Sequence, residues 1–156
     1  MGKEHNYRIN LTWTGNLGEG TATYKAYGRN HILQAAGKPE LPASSDPHFR
    51  GSPERYNPEE LLVAALSSCH MLSYLHLCTN NGIVVTDYRD EASGIMVETP
   101  DGGGHFQEVT LRPVVTVGSA GWIARAQELH HEAHEKCFIA NSVNFPVKCE
   151  PVCKVG

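Results

Sequence analysis

The sequence predicts an α+β fold, and three observations point to it. Short stretches alternate polar with apolar or aromatic residues, as half-buried strands do, and Gly-, Asn- or Pro-containing turns join several into hairpins. Two helical stretches interrupt them, one begun at Asn57 and ended by Asn80-Asn81-Gly82, the other running from Gly121 to Cys137. The order is strands, helix, strands, helix, strand, and the short turns make the sheet largely antiparallel.

Tyr7 to Thr14 alternates as a strand. Gly15 to Gly20 is a turn, and Thr21 to Tyr27 reads as the returning strand of a hairpin. Residues 36–56 hold Gly37, Pro39, Pro42, Pro47, Gly51 and Pro53 without either period, which predicts a long functional or disordered loop. Asn57 is a good N-cap, Pro58 suits the first helical position, and Glu60 can complete a capping box. The helix that follows is apolar on almost every side, so it belongs in the centre of a core. Ile83 to Tyr88, Gly94 to Thr99 and His105 to Val117 read as strands, with a glycine-rich turn at Pro100 to Gly104. Asn144 to Val155 reads as a closing strand weakened by Pro146 and Pro151.

At 156 residues the chain fits one domain, residues 1–156, large enough to bury a core without disulfides. A net charge of -4, with no basic block, argues against nucleic acid as a partner. The uninterrupted apolar run Leu61 to Leu66 falls far short of the roughly 20 residues a membrane helix needs. The first residues carry no apolar signal segment, and Asn6 replaces the Ser or Thr of a myristoylation motif. With five cysteines, an odd number, the expectation is a cytoplasmic chain with reduced thiols.

Two of those cysteines stand out. Cys69 sits in the apolar helix among Ser67, Ser68 and His70, small polar groups where a purely structural core favours Leu or Val. Cys137 ends the histidine-rich helix. One thiol to attack and a second to resolve the product as a disulfide is the raw material of thiol redox chemistry. The blander reading makes Cys69 a core thiol. His130, His134 and Cys137 recur on one helical face, a geometry open to zinc or copper, although a solvent-facing His/Glu stripe gives the same pattern. Cys78 falls on the face opposite Cys69 and reads as packing. Cys149 and Cys153 would lie roughly 13 Å apart in an extended segment and read as incidental.

The run Asn57-Pro58-Glu59-Glu60-Leu61-Leu62, continuing through Ala64-Ala65 and Ser67-Ser68 to Cys69, resembles the OsmC/Ohr family, as does the later His134-Glu135-Lys136-Cys137. These are osmotically inducible and organic-hydroperoxide-resistance proteins, and the resemblance covers about residues 7–150. It implies an OsmC-like fold, an intertwined homodimer with two central helices wrapped by antiparallel sheet. It also implies a thiol peroxidase acting on organic hydroperoxides, and possibly hydrogen peroxide, in oxidative stress defence. Cys69 would be the peroxidatic cysteine and Cys137 the resolving one. Glu59 would orient an arginine from the upstream loop, Arg50 or less well Arg55, that polarises the thiolate. Glu59 precedes Cys69 by about 15 Å of helix, so a catalytic Glu59 requires a site shared between subunits.

The mechanism expected from this resemblance uses no metal or organic cofactor. Cys69 attacks the peroxide, its sulfenic acid condenses with Cys137, and an external dithiol reduces the disulfide. Leu66, Met71 and Leu72 would suit an alkyl hydroperoxide. A reading of another class is a non-catalytic protein holding a lipophilic ligand near Cys69, or a metal on the His130/His134/Cys137 face.

Overall fold

Asn57 and Glu60 start the longest helix by exchanging hydrogen bonds. The Asn57 N–H donates to Glu60 Oε1 at 3.1 Å, and the Glu60 N–H to Asn57 Oδ1 at 2.9 Å, so the capping box forms as expected. That helix, α1 (Pro58–Asn80), ends where Gly82 takes φ 68°. The Ile83 N–H then reaches the Cys78 carbonyl and the Gly82 N–H the Thr79 carbonyl, a Schellman stop that needs a left-handed residue. By length and composition α1 is apolar enough to cross a membrane. One of its faces packs into the protein. Leu66, His70, Tyr74, Leu77 and Cys78 form one buried face, while Ala64, Ser68 and Leu72 are exposed. A single chain therefore covers only one side of a helix expected to be buried all round.

The computed structural model describes residues 2–156 and divides into two compact units, one running through Leu61 and the other Leu62–Gly156. The first holds an antiparallel sheet of β1 (Asn10–Trp13), β2 (His31–Gln34) and β3 (Leu41–Ala43), in that order. The returning strand is β2, not residues 21–27. The Asn16 carboxamide oxygen accepts from the N–H groups of both Gly18 and Gly20, and turns at Glu19 and Thr23 follow. These local bonds hold the segment in a loop that pairs only through Asn16 and Tyr27. The expected loop of residues 36–56 contains β3 and a short 3-10 turn, Pro47–Phe49. Pro42 fits because β3 lies at the sheet edge.

The second unit adds β4 (Val85–Asp90), β5 (Ser93–Glu98), β6 (Gly104–Leu111), β7 (Pro113–Val117), α2 (Ile123–Lys136), β8 (Val147–Cys149) and β9 (Val152–Val155). They make two sheets of matching order, β5-β6-β8 and β4-β7-β9. Two expected long strands are broken, one between β6 and β7 at Arg112, the other between β8 and β9 at Glu150-Pro151. The breaks lie side by side, because the Glu150 N–H donates to the Leu111 carbonyl at 2.8 Å. Asp90 pins the same level by accepting the Arg112 N–H at 2.7 Å. Paired strands thus turn a corner together. Although the hairpins are antiparallel, β6/β8 and β7/β9 pair in parallel, because α2 carries the chain back between them.

One core cluster lies on each of these two sheets. Leu66 packs with Val109 and Leu111. Further along α1, Tyr74, Leu77 and Cys78 pack with Val115, Val117 and, from α2, Leu129. The Tyr74–Leu129 cluster fixes α2, and hence both ends of the histidine-rich segment.

Candidate active site

Cys69 is half-buried on α1, and Cys137 is the C-cap of α2. At Cys137 the chain leaves the helix with ψ 113°, its N–H still bonded to the His134 carbonyl. The next residues curl back, so the Ala140 N–H points at the Cys137 sulfur from 3.5 Å. The Asn141 N–H also caps the Cys137 carbonyl at 3.0 Å. The thiol is 1% exposed. Burial, reinforced by the neighbouring Cys69 thiol and opposed by the Ala140 and Ile139 N–H groups, pushes its pKa up to about 11. Both cysteines are free thiols. The fold brings together two sulfurs that are 68 residues apart (137 − 69) in the sequence. An oxidised Cys69 therefore has a protonated, protected thiol as its neighbour.

Cys78 is sealed in the core. Leu66 is buried on the sheet side of α1, whereas Leu72 is exposed. Of the apolar residues near Cys69, Leu66 is therefore closed off in the core while Leu72 faces outward.

Arg50, Arg55 and Glu59 belong to the first unit. Arg50 closes the 3-10 turn in a left-handed conformation, φ 64°, with its side chain exposed. The turn is tied down. Asp46 caps the His48 N–H, Ser45 Oγ donates to the Phe49 carbonyl, and Gly51 sits where a Cβ would lie 1.6 Å from the Ser45 carbonyl oxygen. These contacts give the turn a defined conformation inside the segment expected to be a loop. Arg55 is committed to the β2 backbone, donating to the His31 carbonyl at 3.3 Å. Glu59, in the first turn of α1, keeps one carboxylate oxygen buried without a partner.

His70 points away from the role its neighbours suggested. It is 1% exposed and meets His130 of α2, with Nε2 to Nδ1 at 3.0 Å. The rings are nearly coplanar, with centroids 5.3 Å apart. That is an edge-to-edge hydrogen bond sharing one proton, not a stack. Tyr74 stacks on the other side of the pair, 3.9 Å from the His130 ring centre. Ser67 is likewise engaged elsewhere, donating to Asp90 Oδ2 at 2.5 Å. Burial, and then the nearby His134, pushes His70 down to about 4, with Asp90 opposing; burial, and then His70, pushes His130 down to about 3.

Cys149, at the end of β8, completes this second cluster, its sulfur 3.7 Å from His70 Nε2. Its thiol is held up at about 12 by burial first and then by Asp90. The expected trio of His130, His134 and Cys137 does not converge. Cys137 turns toward Cys69, and among the described residues the converging ligand atoms belong to His70, His130 and Cys149. One signal for His70 was available in the sequence: it shares the i, i+4, i+8 row of Leu66 and Tyr74, the buried face of α1. None was available for Cys149, which is 79 positions from its partner.

The family described as OsmC-like protein matches residues 51–151. An OsmC-like protein of unknown function from Vibrio cholerae is 35% identical, with 96% of this chain and 100% of that one aligned at a TM-score of 0.85. An organic hydroperoxide resistance protein from Elizabethkingia anophelis superposes over the full length of both chains at a TM-score of 0.72 and 19% identity, a likeness of fold. The uncharacterized protein YmaD of Bacillus subtilis is 23% identical over 159 residues, covering 98% of this chain and 97% of its own.

Proposed function

Because the chain belongs to the family of OsmC-like proteins, we propose that it is a cysteine-based peroxidase that reduces organic hydroperoxides. The observation that carries this reading is the Cys69 thiol beside the buried, protonated Cys137 thiol. In the reaction, the Cys69 thiolate displaces the peroxide O–O bond. The outer oxygen becomes a sulfenic acid on Cys69, and the alcohol departs with a proton. The Cys137 sulfur then attacks the sulfenic sulfur, a disulfide forms and water is released. An external dithiol returns both cysteines to thiols by exchange. Hydrogen peroxide is the poorer substrate, and Arg50 and Glu59 assist the first step. Arg55, held by the His31 carbonyl, is less free to do so.

The working form is an intertwined homodimer, each chain acting as one domain over residues 1–156. Support comes from the uncovered side of α1, where Leu72 is exposed, and from Tyr7, Ile9, Leu11 and Trp13 of the first unit, all exposed. A second copy would cover such surfaces. Five free thiols suit a reducing, cytoplasmic setting.

The test follows consumption of cumene hydroperoxide and of hydrogen peroxide, with dithiothreitol or a lipoylated protein as reductant. Wild type should turn over and Cys69→Ser should not. Full activity in Cys69→Ser would end the proposal. Light scattering should give a dimer. Mixing Cys69→Ser with Glu59→Ala chains should restore some activity if the site is shared.

A further inference from the structure

The second cluster is chemically separate from the Cys69–Cys137 pair, and we propose that it is a zinc site, with His70, His130 and Cys149 as ligands. The three residues come from α1, α2 and β8, and their ligand atoms all lie within 4.8 Å of one another. Imidazole nitrogen and thiolate sulfur are the donors that zinc favours. With Zn–N near 2.0–2.1 Å and Zn–S near 2.3 Å, a tetrahedral site has edges of about 3.3 Å between nitrogens and about 3.6 Å from nitrogen to sulfur. The observed edges are 3.0 Å from His70 to His130 and 3.7 Å from His70 to Cys149. The metal takes the place of the shared proton, which moves to the other nitrogen of its ring while the Cys149 thiol proton leaves to solvent, and the two rings tilt so that both lone pairs turn towards the ion.

Both imidazoles are buried, His70 1% and His130 2% exposed, so the donor set is held in place before any ion arrives. His130 and Cys149 also line a cavity of about 330 Å³, together with Gln127 and His134. That cavity gives an entry path and room for water in the fourth position. The bound ion would tie α1 to α2 and to the corner strand β8.

The full chain, stripped with a chelator, should retain one equivalent of Zn²⁺ after gel filtration and unfold at a higher temperature with it than without. Co²⁺ should give tetrahedral d–d bands and a thiolate-to-cobalt charge-transfer band. Cys149→Ser should lose that band and bind Zn²⁺ at least about 10–100-fold more weakly, the loss typical even of residues behind the ligands. The Cys69→Ser/Cys137→Ser double variant should keep both the band and the equivalent of zinc. Absence of the tetrahedral cobalt spectrum in wild type overturns the proposal even if no variant folds. So does a charge-transfer band that survives in Cys149→Ser or disappears with Cys69 and Cys137.

Discussion

Tyr74 donates its hydroxyl proton to the Ala126 carbonyl at 3.0 Å, a bond from the core face of α1 to the backbone of α2. The same ring stacks on His130, so one side chain sets both the spacing of the helices and the tilt of the histidine pair. Removing only the hydroxyl in Tyr74→Phe should cost about 1 kcal/mol, a fall of roughly 2–4 °C in melting temperature for a chain of this size. Tyr74→Ala should cost about 3–5 kcal/mol, since it empties a fully buried site. Equal losses in the two variants, read by denaturant melts, would deny the ring its packing role.

Cys137→Ser separates attack from resolution. The first equivalent of peroxide should still be consumed, and a second should carry Cys69 on to sulfinic acid, visible by mass spectrometry, because no thiol traps the sulfenic acid. Cys78→Ser and Cys153→Ser should leave turnover unchanged. A Cys137→Ser protein that cycles normally would assign resolution to another thiol.

The high pKa of Cys137 has a kinetic and a thermodynamic consequence. As the attacking group in disulfide closure it is almost wholly protonated near neutral pH. Burial still holds that thiol up once Cys69 is oxidised, so closure should accelerate as pH rises above neutral. The folded chain keeps this proton up to about pH 11, whereas the unfolded thiol releases it near 9.0. The unfolded state thus binds fewer protons in that window, and stability should fall as pH rises through it. Cys149, held up at about 12, acts in the same direction. Thermal midpoints that rise between pH 9 and 11 would contradict this account.

Arg50 and Arg55 should separate cleanly. Arg50→Ala should slow peroxide consumption on the order of 100-fold, the cost of losing one charge aimed at a reacting centre, with little change in stability because the side chain is exposed. Arg50→Lys should recover part of the rate, since an ammonium lacks the planar fork. Arg55→Ala should loosen the β2 backbone it holds and lower the melting temperature more than the rate. The reverse pattern would move the role to Arg55.

Local chemistry made the helices legible from sequence. Asn57, Pro58 and Glu60 wrote the start of α1, and Asn81-Gly82 its stop, because capping involves neighbours in the chain. The thiol pair was reached through a motif rather than through any spacing rule. The cluster of His70, His130 and Cys149 was not legible, because it depends on where two helices cross and where β8 ends. Reading residues 144–155 as one extended strand put Cys149 and Cys153 in a single ladder. The break at Glu150-Pro151 places them in different sheets. Residues 21–27 alternate convincingly, yet the Asx-type bonds of Asn16 prevail over the pattern.

The parallel pairing of Val109 with Val147 and of Val114 with Val152 sets an order of assembly during synthesis. Until β8 and β9 have emerged from the ribosome, β6 and β7 each offer an unpaired edge to the cell, and such edges invite aggregation. The corner at Glu150 means that one short segment, threaded past Leu111, seals both edges in a single docking event. A lesion there should therefore reduce the yield of folded protein in vivo by far more than it lowers the melting temperature of the molecules that do fold.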